Sequence, residues 1–401
     1  MQLPAPEGKV ARVRDVVRSS RRLQFSASRP TATDRHVRAF DGLRGIAIVL
    51  VLLRHVGEDG PARRVGGVVA AALNTGWLGV DVFFVLSGFL ITGILLDARG
   101  DAARPADGYF RRFYARRALR IFPAYYLFLA VVLTLGRPPM PHGTWWYWSY
   151  LSNALIARHG WPDGTWDTGH LWSLAVEEQF YLVWPAIIAW TPRQRLPALC
   201  LAVIVAAVVL RVVLIHQGAA LAAYVLTPAR ADTLAVGAAL AIALRGGPRA
   251  RAAIAQLAPT VGAAAVAVLG ALFVTHRLDH RLTVGGLVLG SLAATLAIAA
   301  CIGRIGSGGW IRRVLEWGPL VSFGTYSYAI YLVQLPLRGA IDYWLGGHLA
   351  TQPAMLGVGI EAVVLAGGSW CIACVSWRLV ERPILSLKRL VPMPIPHPGR
   401  P

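Results

Sequence analysis

Ten apolar blocks, parted by short polar or basic segments, run through this 401-residue chain at about 43–57, 77–96, 121–136, 174–190, 196–215, 227–245, 258–274, 283–302, 319–337 and 356–378. A water-soluble fold would interleave charge among its apolar residues at helix or strand period, whereas uninterrupted blocks of this kind are buried in a bilayer. Only 15% of the residues are charged and 56% are hydrophobic, against about a quarter charged in a soluble protein. Hydrocarbon offers no partner to a backbone N–H or C=O, so spanning segments must satisfy their own backbone. The expectation is an all-α polytopic membrane helical bundle with about ten transmembrane helices.

Lysine and arginine give the orientation. With the N-terminus inside, the interior segments hold 29 of the 40 basic residues, the exterior loops hold 7, and Arg44, Arg54, Arg211 and Arg230 fall within spans. This bias predicts that both termini are cytoplasmic. It also accounts for the formal net charge of +20 without nucleic-acid binding, since topology and anionic lipid contact require the excess. Residues 1–38 read as a basic, disordered cytoplasmic tail, 39–390 as the membrane domain, and 391–401 as a Pro-rich tail. The N-terminus lacks the apolar core of a signal peptide, and SSRRLQF at 19–25 stands too far from the next apolar run for a twin-arginine signal. Cys200, Cys301, Cys371 and Cys374 all lie in spans, where the last two read as small packing residues. No metal-ligand spacing, Walker A or G-x-S-x-G occurs, so neither a metal nor a tightly bound cofactor is expected.

Polar groups concentrate in the first, second and fourth spans and their loops, whereas spans five to eight read as apolar scaffold, with Gly286 and Gly290 as a close-packing pair. In FDGLRGIAIVLVLLRHVG, Arg44 and His55 are eleven residues apart. At 100° per residue they project within about 20° of one another, and the rise of 1.5 Å separates them by about 16 Å along the helix. They are expected to face one internal cavity, with the imidazole suited to take a proton from a hydroxyl near neutral pH. Asp41 and Arg44 also have the spacing of a helical ion pair. Asp81, at the start of the second span, fits two roles equally: orienting a histidine, or capping the helix. Arg111, Arg112, Arg116, Arg117 and Arg120 form a basic cluster before the third span, which suits a positive-inside flank or a phosphorylated cytosolic ligand. Glu177 and Glu178 are costly in an apolar span unless partnered, with His55, Arg54 or Arg211 as candidates. Trp145, Trp146 and Trp148 in the long exterior loop read as an interfacial belt.

These pieces, in this order, resemble the acyltransferase-3 family of integral-membrane acyltransferases from about Phe40 to Pro383. The residues that carry the resemblance are Arg44 with His55, GWLGVDVFFVLSGFLIT, RRALRIFPAYY, HLWSLAVEEQFYLVWP, RADTLAVGA, SFGTYSYAIYLVQLP and LVERP. The resemblance implies a ten-helix bundle in the bacterial cytoplasmic membrane that moves an acyl group, most simply acetyl, from cytosolic acyl-CoA to a hydroxyl. It implies that Arg44 and His55 are essential, that Arg116, Arg117 and Arg120 belong to the acyl-CoA site, and that Glu177 or Glu178 is supporting. The mechanism expected beside it has His55 as general base, with Asp81, Glu177 or Glu178 stabilising the imidazolium. The chain departs from the family's pattern at Gln334, where a histidine is common, and with LVERP close to the last residue given, the hydrolase-like domain fused to some relatives is not expected. The expected partners are acyl-CoA, membrane lipids and a hydroxyl-bearing acceptor: a surface glycan, a glycolipid or a macrolide-type product. A secondary transporter or flippase using the intramembrane charges is the alternative. Against it, the halves show no internal repeat and the basic cluster would be unexplained.

Overall fold

The computed structural model describes residues 38–56, 64–100, 107–136, 142–162, 168–274, 288–305 and 309–391, and no strand occurs among them. Its long helices are α1 (Arg38–Val56), α2 (Leu78–Arg99), α3 (Tyr109–Val131), α4 (Leu171–Trp190) and α5 (Leu196–His216). They continue as α6 (Thr227–Arg245), α7 (Pro248–Val274), α8 (Ser291–Ile305), α9 (Ser327–Thr351) and α10 (Ala354–Ser376). Each expected apolar segment falls on one of these helices, with 319–337 divided between a short helix, Gly318–Thr325, and the start of α9. The tails expected at 1–38 and 391–401 lie outside the described residues apart from Arg38 and Val391, as does Gly286.

Helix and apolar block do not share all their boundaries. α3 begins at Tyr109, well before its apolar block, because the alanine- and arginine-rich RRFYARRALR is itself a good helix former. Proline stands within the first two positions of α5 and α6, where a missing N–H costs nothing. Six segments, among them Tyr109–Leu135 and Ala354–Leu390, are long and apolar enough to cross a membrane by length and composition. α1 and α4 are not among these six: one carries Asp41, Arg44 and Arg54, the other Glu177 and Glu178. Two helices that fall short of these criteria are therefore ones that carry candidate site residues, His55 on α1 and Glu177 and Glu178 on α4.

Two devices hold α2 against its neighbours. The first is a bare backbone contact with α6. A Cβ on Gly88 would lie 1.9 Å from the carbonyl oxygen of Leu234, and one on Gly237 would lie 2.1 Å from that of Val85. Only hydrogen fits at either point, and the main chains meet directly. The second is ionic: Arg230 pairs with Asp81, and Arg211 pairs with Asp232, all four being buried. Arg230 also reaches Ser291 Oγ at 3.4 Å and lies over the rings of Phe84 and Tyr224 at 5.7 and 5.8 Å. The reading of spans five to eight as apolar scaffold needs correcting here, since α5 and α6 carry three of the four buried charges: Arg230 fastens α2, and Arg211 with Asp232 ties α5 to α6.

Candidate functional site

Two cavities abut inside the bundle. The first, of about 100 Å³, is lined by Arg44, Arg117 and Arg120 together with Ser87, Glu177, Glu178 and Tyr328. The second, of about 170 Å³, is lined by Arg54, His55 and His170 and by the aromatic rings of Trp77, Trp161, Trp172 and Tyr224. Val80 and Tyr331 stand in the walls of both. On α1 the chain passes from the arginine cavity at residue 44 to the imidazole cavity at residue 55, and α9 passes the same way from Ser327 to Leu335. α2 and α4 run oppositely, from Gly76 to Ser87 and from Gly169 to Glu178. Arg44 and His55 thus share one face, as their spacing predicts, but open into adjoining compartments rather than a single one.

In the arginine cavity the charges are tied in place. Arg44 Nη1 donates to Asp41 Oδ1 at 3.2 Å, the i, i+3 pair expected from sequence. Arg117 Nε stands 3.7 Å from Glu178 Oε1, with the guanidinium carbon 3.6 Å from the Tyr181 ring centroid. Ser87 Oγ donates to Glu177 Oε1 at 2.6 Å. The two glutamates therefore meet Arg117 and Ser87, not the His55, Arg54 or Arg211 considered from sequence. Arg120 lines the cavity beside Arg117, whereas Arg116 donates to the backbone carbonyls of Lys388 and Val391 at 3.3 and 2.9 Å. Of the three arginines expected at a donor site, two line the cavity and the third fastens the segment after α10.

In the second cavity, His55 Nδ1 lies 3.1 Å from Gln334 Oε1. A carboxamide oxygen can only accept, so this contact puts the proton on Nδ1 and the lone pair on Nε2. Asp81, weighed from sequence as the group that orients the histidine, pairs instead with Arg230. Gln334, the position where the chain departs from the pattern it resembles, takes that place. His170 lies at the start of α4 and was missed by sequence reasoning. Its Nε2 donates to the carbonyl of Leu332 at 3.1 Å, and Tyr331 Oη donates to the His170 carbonyl at 2.9 Å. Burial, and then the nearby His55, push its imidazole down to about 3, so it is neutral at ordinary pH. A signal existed: His170, Ser173 and Glu177 follow i, i+3, i+7, the same-face rule that connected Arg44 to His55. Of the three tryptophans read as a belt, Trp145 and Trp148 are exposed while Trp146 is half-buried against the core, and the aromatic cavity wall comes instead from Trp77, Trp161 and Trp172.

Residues 37–377 match the acyltransferase domain of the acyltransferase-3 family. The chain belongs to this family. Among the relatives of this acyltransferase-3 protein is YrhL of Bacillus subtilis, provisionally named a peptidoglycan O-acetyltransferase, which is 31% identical over 77% of the chain and 49% of its own length. The O-acetyltransferase OatA of Staphylococcus aureus is 27% identical over 87% of the chain and 57% of its own length. The peptidoglycan O-acetyltransferase OatA of Listeria monocytogenes is 28% identical over 87% and 56%. The chain thus spans about half the length of the curated relatives it matches. No solved structure matches it. Multiple apolar helices and bacterial relatives make this a multi-pass membrane protein of the family.

Proposed function

We propose that the protein is a membrane-embedded O-acyltransferase of the bacterial cytoplasmic membrane. It moves an acyl group from cytosolic acyl-CoA to a hydroxyl of a carbohydrate-containing acceptor. The observation that carries this reading is the pair of abutting cavities, cationic on one side of Val80 and Tyr331 and imidazole-bearing on the other. The arginine end faces the cytosol, where CoA is found. Arg44, Arg117 and Arg120 attract the anionic donor, since guanidinium forks match phosphate oxygens. A first cavity of about 100 Å³ has the room of several water molecules, which favours a short acyl group such as acetyl.

His55 acts as general base. Its Nδ1–H is held by Gln334, and Nε2 takes the proton of the acceptor hydroxyl as that oxygen attacks the thioester carbonyl. The C–O bond forms, the C–S bond breaks, and the leaving CoA thiolate recovers the proton from His55. No covalent acyl-enzyme is needed. Glu178 steadies Arg117, and Glu177 with Ser87 lines the path of the thioester; Asp81 acts at a distance, by fastening α2 through Arg230. The relatives named as acting on peptidoglycan support a glycan as acceptor, and the wall of Trp161, Trp172 and Tyr224 suits the apolar faces of a sugar.

Purified protein in lipid nanodiscs should consume acetyl-CoA, followed by release of the free thiol. His55→Ala should lower the rate by 10²-fold or more, the lower range for a lost general base. Full activity of that variant, or no acetyl-CoA consumption by the wild type, would overturn the proposal.

A further inference from the structure

His170 offers one group that the mechanism above does not use. Its Nε2 is the donor to Leu332, and a carbonyl can only accept, so the other ring nitrogen must carry the lone pair. That atom, Nδ1, is buried and has no hydrogen-bond partner in the protein. The ring cannot turn easily to find one. It stands edge-on to Phe128 at 6.0 Å and tilted against Tyr331 at 5.4 Å, and the Tyr331 hydroxyl holds the His170 carbonyl. Native proteins seldom leave a buried acceptor unsatisfied, and each such case calls for an explanation. Here the explanation adjoins the residue: His170 lines the same cavity as His55.

What could satisfy Nδ1 is restricted by its chemistry. An anion brings only lone pairs and is excluded, as is an apolar chain. The occupant must bring an O–H or N–H, and it must do so beyond the hydroxyl that His55 deprotonates. We infer that His170 is a positioning residue for the acceptor, accepting a hydrogen bond from a second hydroxyl or amide N–H beside the one that is acylated. The acceptor is then polyhydric or amido-hydroxylated at the reacting end, as a sugar ring is, and a simple alcohol is disfavoured. This rests on the acyltransferase reading and narrows its acceptor class.

The test compares 1,2-propanediol with 1-propanol as acceptors for acetyl-CoA, using the full chain in nanodiscs and measuring both esters and free CoA. The two probes differ by one hydroxyl. Wild-type protein should favour the diol by at least about tenfold in kcat/KM, because an unmet buried polar group penalises the analogue that lacks its partner. In His170→Gln the side-chain nitrogen falls near Nε2 and keeps the tie to Leu332, but nothing stands at Nδ1. Its preference should fall to within about twofold of unity. In His170→Asn the side-chain oxygen falls near Nδ1, and the preference should persist. A merely structural role would lower both rates in parallel in His170→Gln and leave their ratio at the wild-type value, which would overturn the inference. So would a wild-type protein that treats the two alcohols alike, or one that hydrolyses acetyl-CoA and acylates neither. Failure to consume acetyl-CoA at all would instead sink the acyltransferase reading, and the CoA signal separates that result from the others.

Discussion

Asp81 is the residue on which sequence and structure assign different work, and replacing it distinguishes the two. Asp81 and Arg230 are buried, and with Arg211 and Asp232 they make a neutral set of two cations and two anions. Asp81→Asn keeps the shape and one acceptor oxygen but leaves a net positive charge inside the bundle. A guanidinium cannot shed its proton to escape, so the penalty is paid in full, about 3–5 kcal/mol for breaking a buried pair. For a chain of 401 residues the shift is roughly 1 °C per kcal/mol, so melting followed by tryptophan fluorescence should drop by about 5 °C. Arg230→Met should cost less, because the carboxyl left behind can bind a proton. Replacing both, as Asp81→Leu with Arg230→Met, should restore stability to within about 1–2 kcal/mol of wild type, since well-packed apolar groups often match a buried ion pair. The double variant should also turn over acetyl-CoA. A single Asp81→Asn variant that melts like wild type yet has lost turnover would refute this reasoning and return Asp81 to the chemistry.

Three further outcomes follow from the site. Gln334→Leu removes the partner of His55 Nδ1 and should lower kcat by about tenfold or more with little change in acetyl-CoA KM, as expected when a general base loses its orienting contact; a change confined to KM would contradict this. Arg117→Ala combined with Arg120→Ala should raise acetyl-CoA KM by about 10- to 100-fold, at roughly 1.5–3 kcal/mol for hydrogen bonds to a charged group, whereas Arg116→Ala, whose partners are the carbonyls of Lys388 and Val391, should change it less. Equal effects would place Arg116 in the donor site as well. The His170 imidazole titrates near 3 when folded and near 6.5 in an unfolded chain, so the unfolded state binds the extra proton first on acidification. Its contribution to stability should be complete above about pH 6.5 and decline toward pH 3, and acid melting curves of His170→Asn should lose that part of the slope.

What was legible in the sequence was whatever one helix determines alone. The apolar blocks fix where helices lie because hydrocarbon leaves no alternative conformation, and the same-face geometry of Arg44 and His55 follows from the helical period. The Asp41–Arg44 contact is local in the same sense. Partnerships between helices were not legible. His55 and Gln334 are 279 positions apart, and Asp81 and Arg230 are 149 apart, so both contacts depend on how the bundle closes. Charges in a span announce that a partner exists without saying which one. For Glu177 and Glu178 the candidates considered were plausible in sign and wrong in position, and for Asp81, which does stand in the first turn of its helix, the buried partner Arg230 was not among the roles weighed. His170 is an intermediate case. It stands just before its helix and outside the apolar block, and the block's edge hid a same-face pattern that runs across it.

The two-compartment arrangement also gives a physical reason for the opposed directions of the lining helices. A transfer between a large anion on one side and a hydroxyl on the other needs a cationic mouth and a basic group in reach of one wall. One helix running from Arg44 to His55 supplies both, but it offers only one face. α9 runs with it and brings Tyr331 to the shared wall and Gln334 to His55, while α2 and α4 return and bring Ser87 and Glu177 back to the arginine side. Antiparallel neighbours therefore place each type of group at the depth where it lines its cavity. On the acyltransferase reading proposed above, Val80 and Tyr331 form the wall at which acyl carbon and acceptor oxygen would meet, and the Ser173 hydroxyl and the His170 carbonyl hold the Tyr331 hydroxyl in place there.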